Sequence, residues 1–230
     1  FVNEMLNYHG QSFENKRVVI SGSGNVAIYA AEKAIDYGAK VVAMCDSSGY
    51  IVDENGIDLS IVKQIKEVER NRIKEYIARK EGAQYFEGQK GIWTVKCDIA
   101  LPCATQNDIN LDDAKILVEN GTTVIGEGAN MPCTNEAVKY FLEKGLLVAP
   151  AKAANAGGVA TSALEMSQNS MRLSWTFEEV DEKLQIIMKN IFKVSKDAAE
   201  NYGAPGNYVI GANIAGFLKV ADAMVSQGIV

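Results

Sequence analysis

A glycine-rich turn near the start of the chain carries the clearest chemical signal. The apolar run 17–21 (RVVIS) leads directly into 22–27 (GSGNVA), which has the spacing G-x-G-x-x-A, and an amphipathic stretch follows. Between a strand and a helix, the first glycine makes a tight turn, the second lets a phosphate approach the backbone, and the small third residue lets the helix pack on the sheet. The N–H groups of the first helical turn then face the phosphate. A tight turn without a ligand is the alternative, but the strand-turn-helix context favours a site for the pyrophosphate of a dinucleotide.

An acidic residue lies where such a site needs one, about twenty residues further along the chain. Asp46 directly follows the next apolar run, 40–45 (KVVAMC), and would meet the adenosine ribose. An aspartate there usually accepts hydrogen bonds from both ribose hydroxyls of NAD. Ser47 follows it here, and this serine could instead face a 2′-phosphate.

The stretch after Asp46 also carries three cations, which are Arg70, Arg72 and Lys74. They could hold the 2′-phosphate of NADP, with Arg72 the best single candidate, or they could lie on a solvated helix face. Opposed charges about 4 Å apart are worth roughly 4 kcal/mol before desolvation at an effective dielectric constant near 20. The group that faces the ribose therefore decides between NADP and NAD.

Strands and helices must position this site. They are predicted by an alternation of short β-branched runs and longer amphipathic stretches. The runs predict strands at 17–21, 40–45, 84–86, 98–101, 123–126 and 146–149, and the stretches predict helices at 25–37, 59–80, 111–120 and 135–144. After Pro150 the strands stop, and helices are expected at about 155–173, 177–201 and 207–227. The pattern is typical of an α/β fold with a doubly wound, Rossmann-like, mainly parallel sheet, helices on both faces and a C-terminal helical segment.

Composition narrows the classes of protein to which the chain can belong. Apolar residues make up 47% and charged residues 23%, as in ordinary globular proteins, so a disordered chain or a coiled coil is excluded. A net charge of −6 without a basic run disfavours nucleic-acid binding. The apolar stretches are interrupted before the roughly 18 residues of a membrane span. Four separated cysteines and a single histidine favour reduced thiols, no metal site and a cytoplasmic protein.

Longer segments carry a resemblance to a known family. In order they are SGSGNVA (21–27), CDSSG (45–49), DIALPCATQN (98–107), GEGANMP (126–132), APAKAANAGGVATSALEMSQN (149–169) and GANIAGFLKVADAM (211–224). With these motifs the chain resembles the cofactor-binding part of the hexameric glutamate dehydrogenases, most closely the NADP-dependent kind. The resemblance covers nearly the whole chain.

The resemblance implies oxidative deamination of L-glutamate to 2-oxoglutarate and ammonium, with hydride transfer to NADP, or alternatively to NAD. The family's catalytic lysine and aspartate belong to a domain that precedes these motifs, so no catalytic residue is expected in this chain and the chain alone should be inactive. The full-length protein is expected to be a homohexamer that binds L-glutamate or 2-oxoglutarate together with the missing domain. Neither nucleic acid nor membrane is an expected partner.

The expected domain organisation follows from the same resemblance and from the pattern of the first residues. The chain begins with Phe1 rather than methionine, and its first ten residues (FVNEMLNYHG) have the pattern of the last turns of a helix. We therefore expect a helix stub from the interdomain region at 1–15 and the dinucleotide-binding domain at 16–150. Helices at 151–230 would complete that domain and reach toward the absent catalytic domain.

Site residues are transferred from the family one position at a time. The pyrophosphate turn is expected to comprise Gly22, Ser23, Gly24, Asn25 and Val26. The resemblance places a loop near the dinucleotide at Ala104 and Thr105, contacts to the nicotinamide ribose and carboxamide at Asn130 and Asn155, and the pocket for the glutamate side chain at Val159 and Ser162. Ser162 would donate to the γ-carboxylate of the substrate.

Other interpretations stay open at this point. The chain could be a stand-alone dinucleotide-binding or sensing module, or part of another amino-acid dehydrogenase specific for leucine, valine or phenylalanine. The segment 69–72 looks one residue shorter than in bacterial NADP enzymes, which leaves the role of an individual arginine open. Cys45 and Cys103 are expected to be small buried residues, Lys152 a structural residue, and His9 a surface residue.

Overall fold

A computed structural model of the chain describes residues 1–228. The chain forms two compact units. The larger unit is Leu6–Val148, and the other comprises Phe1–Met5 together with the chain from Ala149 onward.

A β-sheet forms the centre of the larger unit. Its strands are β1 (Arg17–Ser21), β2 (Lys40–Asp46), β3 (Gly49–Val52), β4 (Gln84–Glu87), β5 (Ile99–Pro102), β6 (Val124–Gly126) and β7 (Leu147–Ala149). Their order across the sheet is β4-β3-β2-β1-β5-β6-β7. β1 pairs in parallel with both β2 and β5, and β5 pairs in parallel with β6. The predicted α/β fold with a mainly parallel sheet is therefore confirmed.

The edge beyond β2 departs from the predicted pattern. β3, which was not among the predicted strands, runs antiparallel to both β2 and β4. Its first residue, Gly49, leaves no room for a side chain, because an added Cβ would lie 2.1 Å from the carbonyl oxygen of Phe86. The run GYIV is short and follows β2 after a two-residue turn, so its periodicity alone does not separate it from a loop.

Helices on this unit begin largely where the sequence predicts. They are α1 (Val2–Tyr8), which extends across the boundary of the unit, α2 (Asn25–Asp36), α3 (Leu59–Lys63), α4 (Leu111–Glu119) and α5 (Asn135–Glu143). The side chain of Asp58 accepts a hydrogen bond from the backbone N–H of Ser60 at the start of α3. Asn110 and Asp113 form a reciprocal capping box at the start of α4.

The prediction of one helix over 59–80 is wrong. After α3 the chain makes a π-helical turn at Gln64–Val68, and a separate 3-10 helix follows at Ile73–Ala78. Arg70 between them has φ 55°, in the left-handed region. The N–H of Ile73 donates to the carboxylate of Asp46 at 2.8 Å, a tertiary contact that replaces a helical hydrogen bond. Another 3-10 helix, Gln89–Thr94, places Trp93 in the core, where it is fully buried.

The smaller unit is helical, as predicted. It contains α6 (Ala151–Ala154), α7 (Ala156–Met171), α8 (Phe177–Asn201) and α9 (Tyr208–Gln227). Thr176 and Glu179 form the predicted capping box at the start of α8. α8 and α9 pack closely at Gly211, where an added Cβ would lie 2.0 Å from the carbonyl oxygen of Ser195.

Much apolar surface of these helices is exposed. α7 has no buried residue, and Phe177, Phe217 and Val225 are 80%, 65% and 87% exposed. Among the described residues, α9 is the one helix whose length and mean hydropathy would allow it to cross a membrane, and 11% of its apolar window is buried. One such helix is weak evidence for a membrane span.

Candidate dinucleotide-binding site

The turn after β1 has the geometry that a pyrophosphate site needs. Gly22 has φ 94°, and an added Cβ would lie 3.2 Å from the Cα of Ala104 and 3.3 Å from the carbonyl oxygen of Cys103. Only glycine fits this position without strain. α2 then begins at Asn25 with Gly24 as its N-cap, so no side chain caps the helix. The N–H groups of its first turn have no partner inside the helix and can donate to a phosphate.

The strand order places this turn at a topological switch point. The chain leaves β1 for β2 on one side, and β5 lies on the other side of β1, with Ser21 paired to Pro102 at the carboxyl end. Open α/β sheets bind their ligands in the crevice outside the carboxyl ends of the strands at such a point. The loop after β5 carries the predicted residues Ala104, which is half-buried, and Thr105, which is exposed.

The loop after β6 forms another wall of this crevice. The N–H groups of Gly128 and Ala129 donate to the carbonyl oxygen of Pro102, at 3.1 and 3.0 Å. An added Cβ at Gly128 would lie 2.5 Å from Cys103 Sγ and 3.4 Å from the side chain of Val26. The predicted Asn130 lies further along the same loop and is exposed. The fold thus brings the glycine-rich turn and both of these loops together at one edge of the sheet.

Asp46 lies at the carboxyl end of β2 and is already engaged by the protein. Its Oδ1 accepts from the N–H and the hydroxyl of Ser48, at 2.8 and 2.6 Å, and its Oδ2 accepts from the N–H of Ile73. Lys66 lies 3.5 Å away. Burial raises the pKa of Asp46, but the hydrogen bonds and the lysine outweigh burial, so the pKa lies below its ordinary value. The ionised carboxylate organises this loop, whether or not a ribose also contacts it.

Ser47 and Arg72 meet beside Asp46. Arg72 Nη1 donates to Ser47 Oγ at 2.7 Å, and both side chains are exposed. The backbone on either side of Arg72 is fixed, since the N–H of Asn71 donates to the carbonyl oxygen of Ile65 at 2.9 Å and Ile73 donates to Asp46. Lys66 Nζ also donates to the carbonyl oxygen of Asn71, at 2.9 Å. A hydroxyl, a guanidinium and an ammonium thus lie close together next to the acidic residue.

Buried groups that sequence reasoning did not assign to the site support its backbone. The N–H of Gly22 donates to Cys45 Sγ at 3.0 Å. Burial raises the pKa of both Cys45 and Cys103 to about 12, so both stay uncharged, as expected of small buried residues. Ser21 and Asp108 form a buried hydrogen bond beneath the turn. They lie 87 residues apart in the sequence, and no local pattern links them.

The remaining predicted residues belong to the smaller unit. Asn155 lies between α6 and α7 and is half-buried. Val159 is 71% exposed, and Ser162, one helical turn later, is also exposed. Ser162 Oγ donates to the carbonyl oxygen of Gly158 at 3.3 Å. Lys152, the other polar side chain near the start of this segment, is exposed and donates to Asn213 of α9.

Comparison with known proteins agrees with this description. The chain is 54% identical to a glutamate dehydrogenase of Bacteroides thetaiotaomicron and 53% identical to an NADP-specific glutamate dehydrogenase of Salmonella typhimurium. Both matches cover the whole chain but only 52% of the relative, so the chain spans about half the length of these proteins. A crystal structure of glutamate dehydrogenase from Plasmodium falciparum has a TM-score of 0.95 and 45% identity, over 100% of this chain and 50% of that one.

The family comparison extends along nearly all of the sequence. The model of the Glutamate/Leucine/Phenylalanine/Valine dehydrogenase family matches residues 1–228. The switch-point crevice and the glycine-rich turn lie within that match. The chain belongs to the glutamate/leucine/phenylalanine/valine dehydrogenase family.

Proposed function

We propose that this chain is the cofactor-binding part of an NADP-dependent glutamate dehydrogenase. In the complete protein it would serve the oxidative deamination of L-glutamate to 2-oxoglutarate and ammonium. The observation that carries the proposal is the glycine-rich turn at the switch point. The whole chain aligns with about half the length of an NADP-specific glutamate dehydrogenase. We further propose a homohexameric, cytoplasmic protein without nucleic-acid or membrane partners.

The turn fits the pyrophosphate of a dinucleotide. The space at Gly22 is closed to a side chain, and Gly24 leaves the start of α2 uncovered. Bound NADP would supply the acceptor for a hydride. Within this chain, the first-turn N–H groups would bind the phosphates, and the loops carrying Ala104, Thr105 and Asn130 would line the crevice toward the nicotinamide ribose.

The preference for NADP over NAD rests on Ser47 and Arg72. With Asp46 occupied by backbone and hydroxyl donors, Arg72 and Ser47 are the exposed groups at the end of β2 that suit a 2′-phosphate. Arginine binds phosphate through paired, charge-assisted hydrogen bonds. We expect Arg72 to turn from Ser47 to the phosphate while Ser47 donates its hydroxyl to the same group.

The substrate side is assigned to α7. Val159 and Ser162 lie on one helical face and are both exposed, so both are accessible to a ligand. We propose that Ser162 rotates away from the carbonyl oxygen of Gly158 and donates to the γ-carboxylate of glutamate. A hydrogen bond to a charged group is worth about 1.5–3 kcal/mol, enough to favour glutamate over apolar amino acids. Asn155 is proposed to contact the nicotinamide end of the cofactor.

The exposed apolar surface of the helical unit supports the proposed domain organisation. Val159, Met166 and Phe177 are each more than 70% exposed, and large apolar patches of this kind mark interaction surfaces. We propose that this unit contacts the catalytic domain, which corresponds to the other half of the relatives' length. That domain would provide the catalytic lysine and aspartate.

Calorimetric titration of the chain with NADP and with NAD, followed by an assay with L-glutamate, tests the proposal. We expect binding of NADP, weaker binding of NAD and no reduced cofactor on addition of L-glutamate. Equal affinities for the two cofactors would refute the NADP assignment. Turnover by this chain alone would refute the assignment of catalysis to another domain, and absence of binding would refute the dinucleotide site.

A further inference from the structure

We propose that Asp108 is a positioning residue that acts through Ser21 to hold the loop after β5 against the glycine-rich turn. The inference rests on the proposed function, because the gap between these two segments is where a dinucleotide would bind. Asp108 does not itself line the crevice. It lies beneath the turn and is 5% exposed, and Ser21 is fully buried.

The Ser21 hydroxyl makes three hydrogen bonds at the switch point. It donates to Asp108 Oδ2 and accepts from the N–H groups of Cys103 and Ala104, at 3.0 and 3.3 Å. A hydroxyl has one donor and two acceptor sites, so all of its capacity is used. Because the proton is directed to Asp108, both lone pairs face the loop after β5. Ser21 thereby connects the end of β1 to the backbone of that loop.

Asp108 is itself fixed by backbone pairing on both sides. The N–H of Asn107 donates to the carbonyl oxygen of Met131 at 3.0 Å, and the N–H of Ile109 donates to that of Pro132 at 2.9 Å. Gln89 Nε2 lies 3.5 Å from the other carboxylate oxygen. Asp108 therefore ties the loop after β6 to the same hydroxyl, so its position sets all three segments that border the crevice.

There is little space between the glycine-rich turn and the loop after β5. The Cα of Ala104 lies only 3.2 Å from where a Cβ on Gly22 would be, so the two segments are already in close contact. Loss of the carboxylate would release the hydroxyl, and loss of the hydroxyl would leave the N–H groups of Cys103 and Ala104 without their acceptor. Either change moves the wall of the pyrophosphate crevice. The adenosine end of the site, at Ser47 and Arg72, lies beyond the end of β2 and should not move.

Two probes separate these ends of the site. NADPH spans the whole crevice, whereas adenosine 2′-monophosphate, which has no 5′-phosphate, occupies only the adenosine end. Titrating each probe into the 230-residue chain, we expect Asp108→Ala and Ser21→Ala to weaken NADPH binding about tenfold, the equivalent of one hydrogen bond, with the affinity for the monophosphate unchanged. Asp108→Asn keeps an acceptor for the Ser21 hydroxyl and should restore NADPH binding to within about threefold of the parent chain.

The outcomes distinguish this inference from the proposed function. If the parent chain binds neither probe, the proposed function fails. If the parent binds both and Ser21→Ala binds NADPH equally well, the positioning role fails. Equal losses for both probes in folded variants would also overturn it, because they would indicate a general disturbance. Should Asp108→Ala not fold, Ser21→Ala, which keeps the carboxylate and removes a single oxygen, carries the same expectation.

Discussion

Substitution by alanine should affect stability at Gly22 and NADP binding at Gly24. At Gly22, an alanine would be held at φ 94°, which costs about 1–2 kcal/mol for an L-residue. Its Cβ would also press on the Cα of Ala104 and the carbonyl oxygen of Cys103, at 3.2 and 3.3 Å. Both are backbone atoms that cannot rotate away, and such overpacking costs about 1–3 kcal/mol. Gly22→Ala is therefore expected to lower the free energy of unfolding by about 2–5 kcal/mol.

Gly24→Ala is the matched control. Gly24 has φ −87°, which alanine adopts readily, and no atom lies within 4 Å of an added Cβ. The change should cost less than about 1 kcal/mol, from the weaker preference of alanine for an N-cap. The new methyl group would nevertheless stand before the first turn of α2, where a phosphate must approach the backbone. We expect NADP affinity to fall by about tenfold or more, the equivalent of one hydrogen bond to a charged group.

Thermal unfolding followed by circular dichroism, with calorimetric titration of NADP, measures both effects. Gly22→Ala should unfold at a lower temperature than the parent chain, and Gly24→Ala should unfold close to it but bind NADP weakly. An unchanged melting temperature for Gly22→Ala would refute the argument from close approach. Unchanged NADP affinity for Gly24→Ala would show that the phosphate does not bind at the start of α2.

Three further predictions concern charge and reactivity. Arg72→Ala should weaken NADP binding at least about tenfold while NAD binding stays the same, as calorimetry can show, whereas Lys74→Ala, at an exposed position, should change neither. The depressed pKa of Asp46 contributes stability that is present above its unfolded pKa of about 3.9 and is lost as pH falls below that value toward the folded pKa. Acid unfolding of Asp46→Asn should therefore depend less steeply on pH in that range, and an identical profile would contradict the ionised state. The four buried cysteines, with pKa values raised by burial, should react with a thiol reagent at pH 8 only after unfolding, and fast labelling of the folded chain would contradict their burial.

The sequence predicts the parallel core of the sheet well because each central strand is a continuous apolar run. Its predictions fail where distant residues decide the local conformation. The predicted helix over 59–80 is interrupted after Lys63, and the N–H of Ile73 donates instead to Asp46 at the end of β2. β3 depends on a glycine that fits against the backbone of Phe86.

Part of the candidate site could likewise be predicted from the sequence, and part could not. The glycine-rich turn and Asp46 are visible in the sequence, because their spacing reflects one strand-turn-helix unit and the strand that follows. Ser47 and Arg72 could each be proposed from their positions after Asp46, but the geometry of their pairing depends on the π-helical turn at Gln64–Val68 and the break that follows it. The hydrogen bond between Ser21 and Asp108 joins segments that meet only in the folded sheet, so it has no local signature.

The residues at the end of β2 differ in what they contact, and this difference has an evolutionary consequence. Asp46 holds the backbone of the adjoining segment through Ile73, whereas Ser47 and Arg72 are exposed and contribute little to that backbone. Replacement of these two side chains is therefore expected to leave the architecture of the sheet edge intact. Under the proposed assignment of the 2′-phosphate to these two side chains, selection could redirect the chain between NADP and NAD through a few surface substitutions, without having to rebuild the fold that carries them.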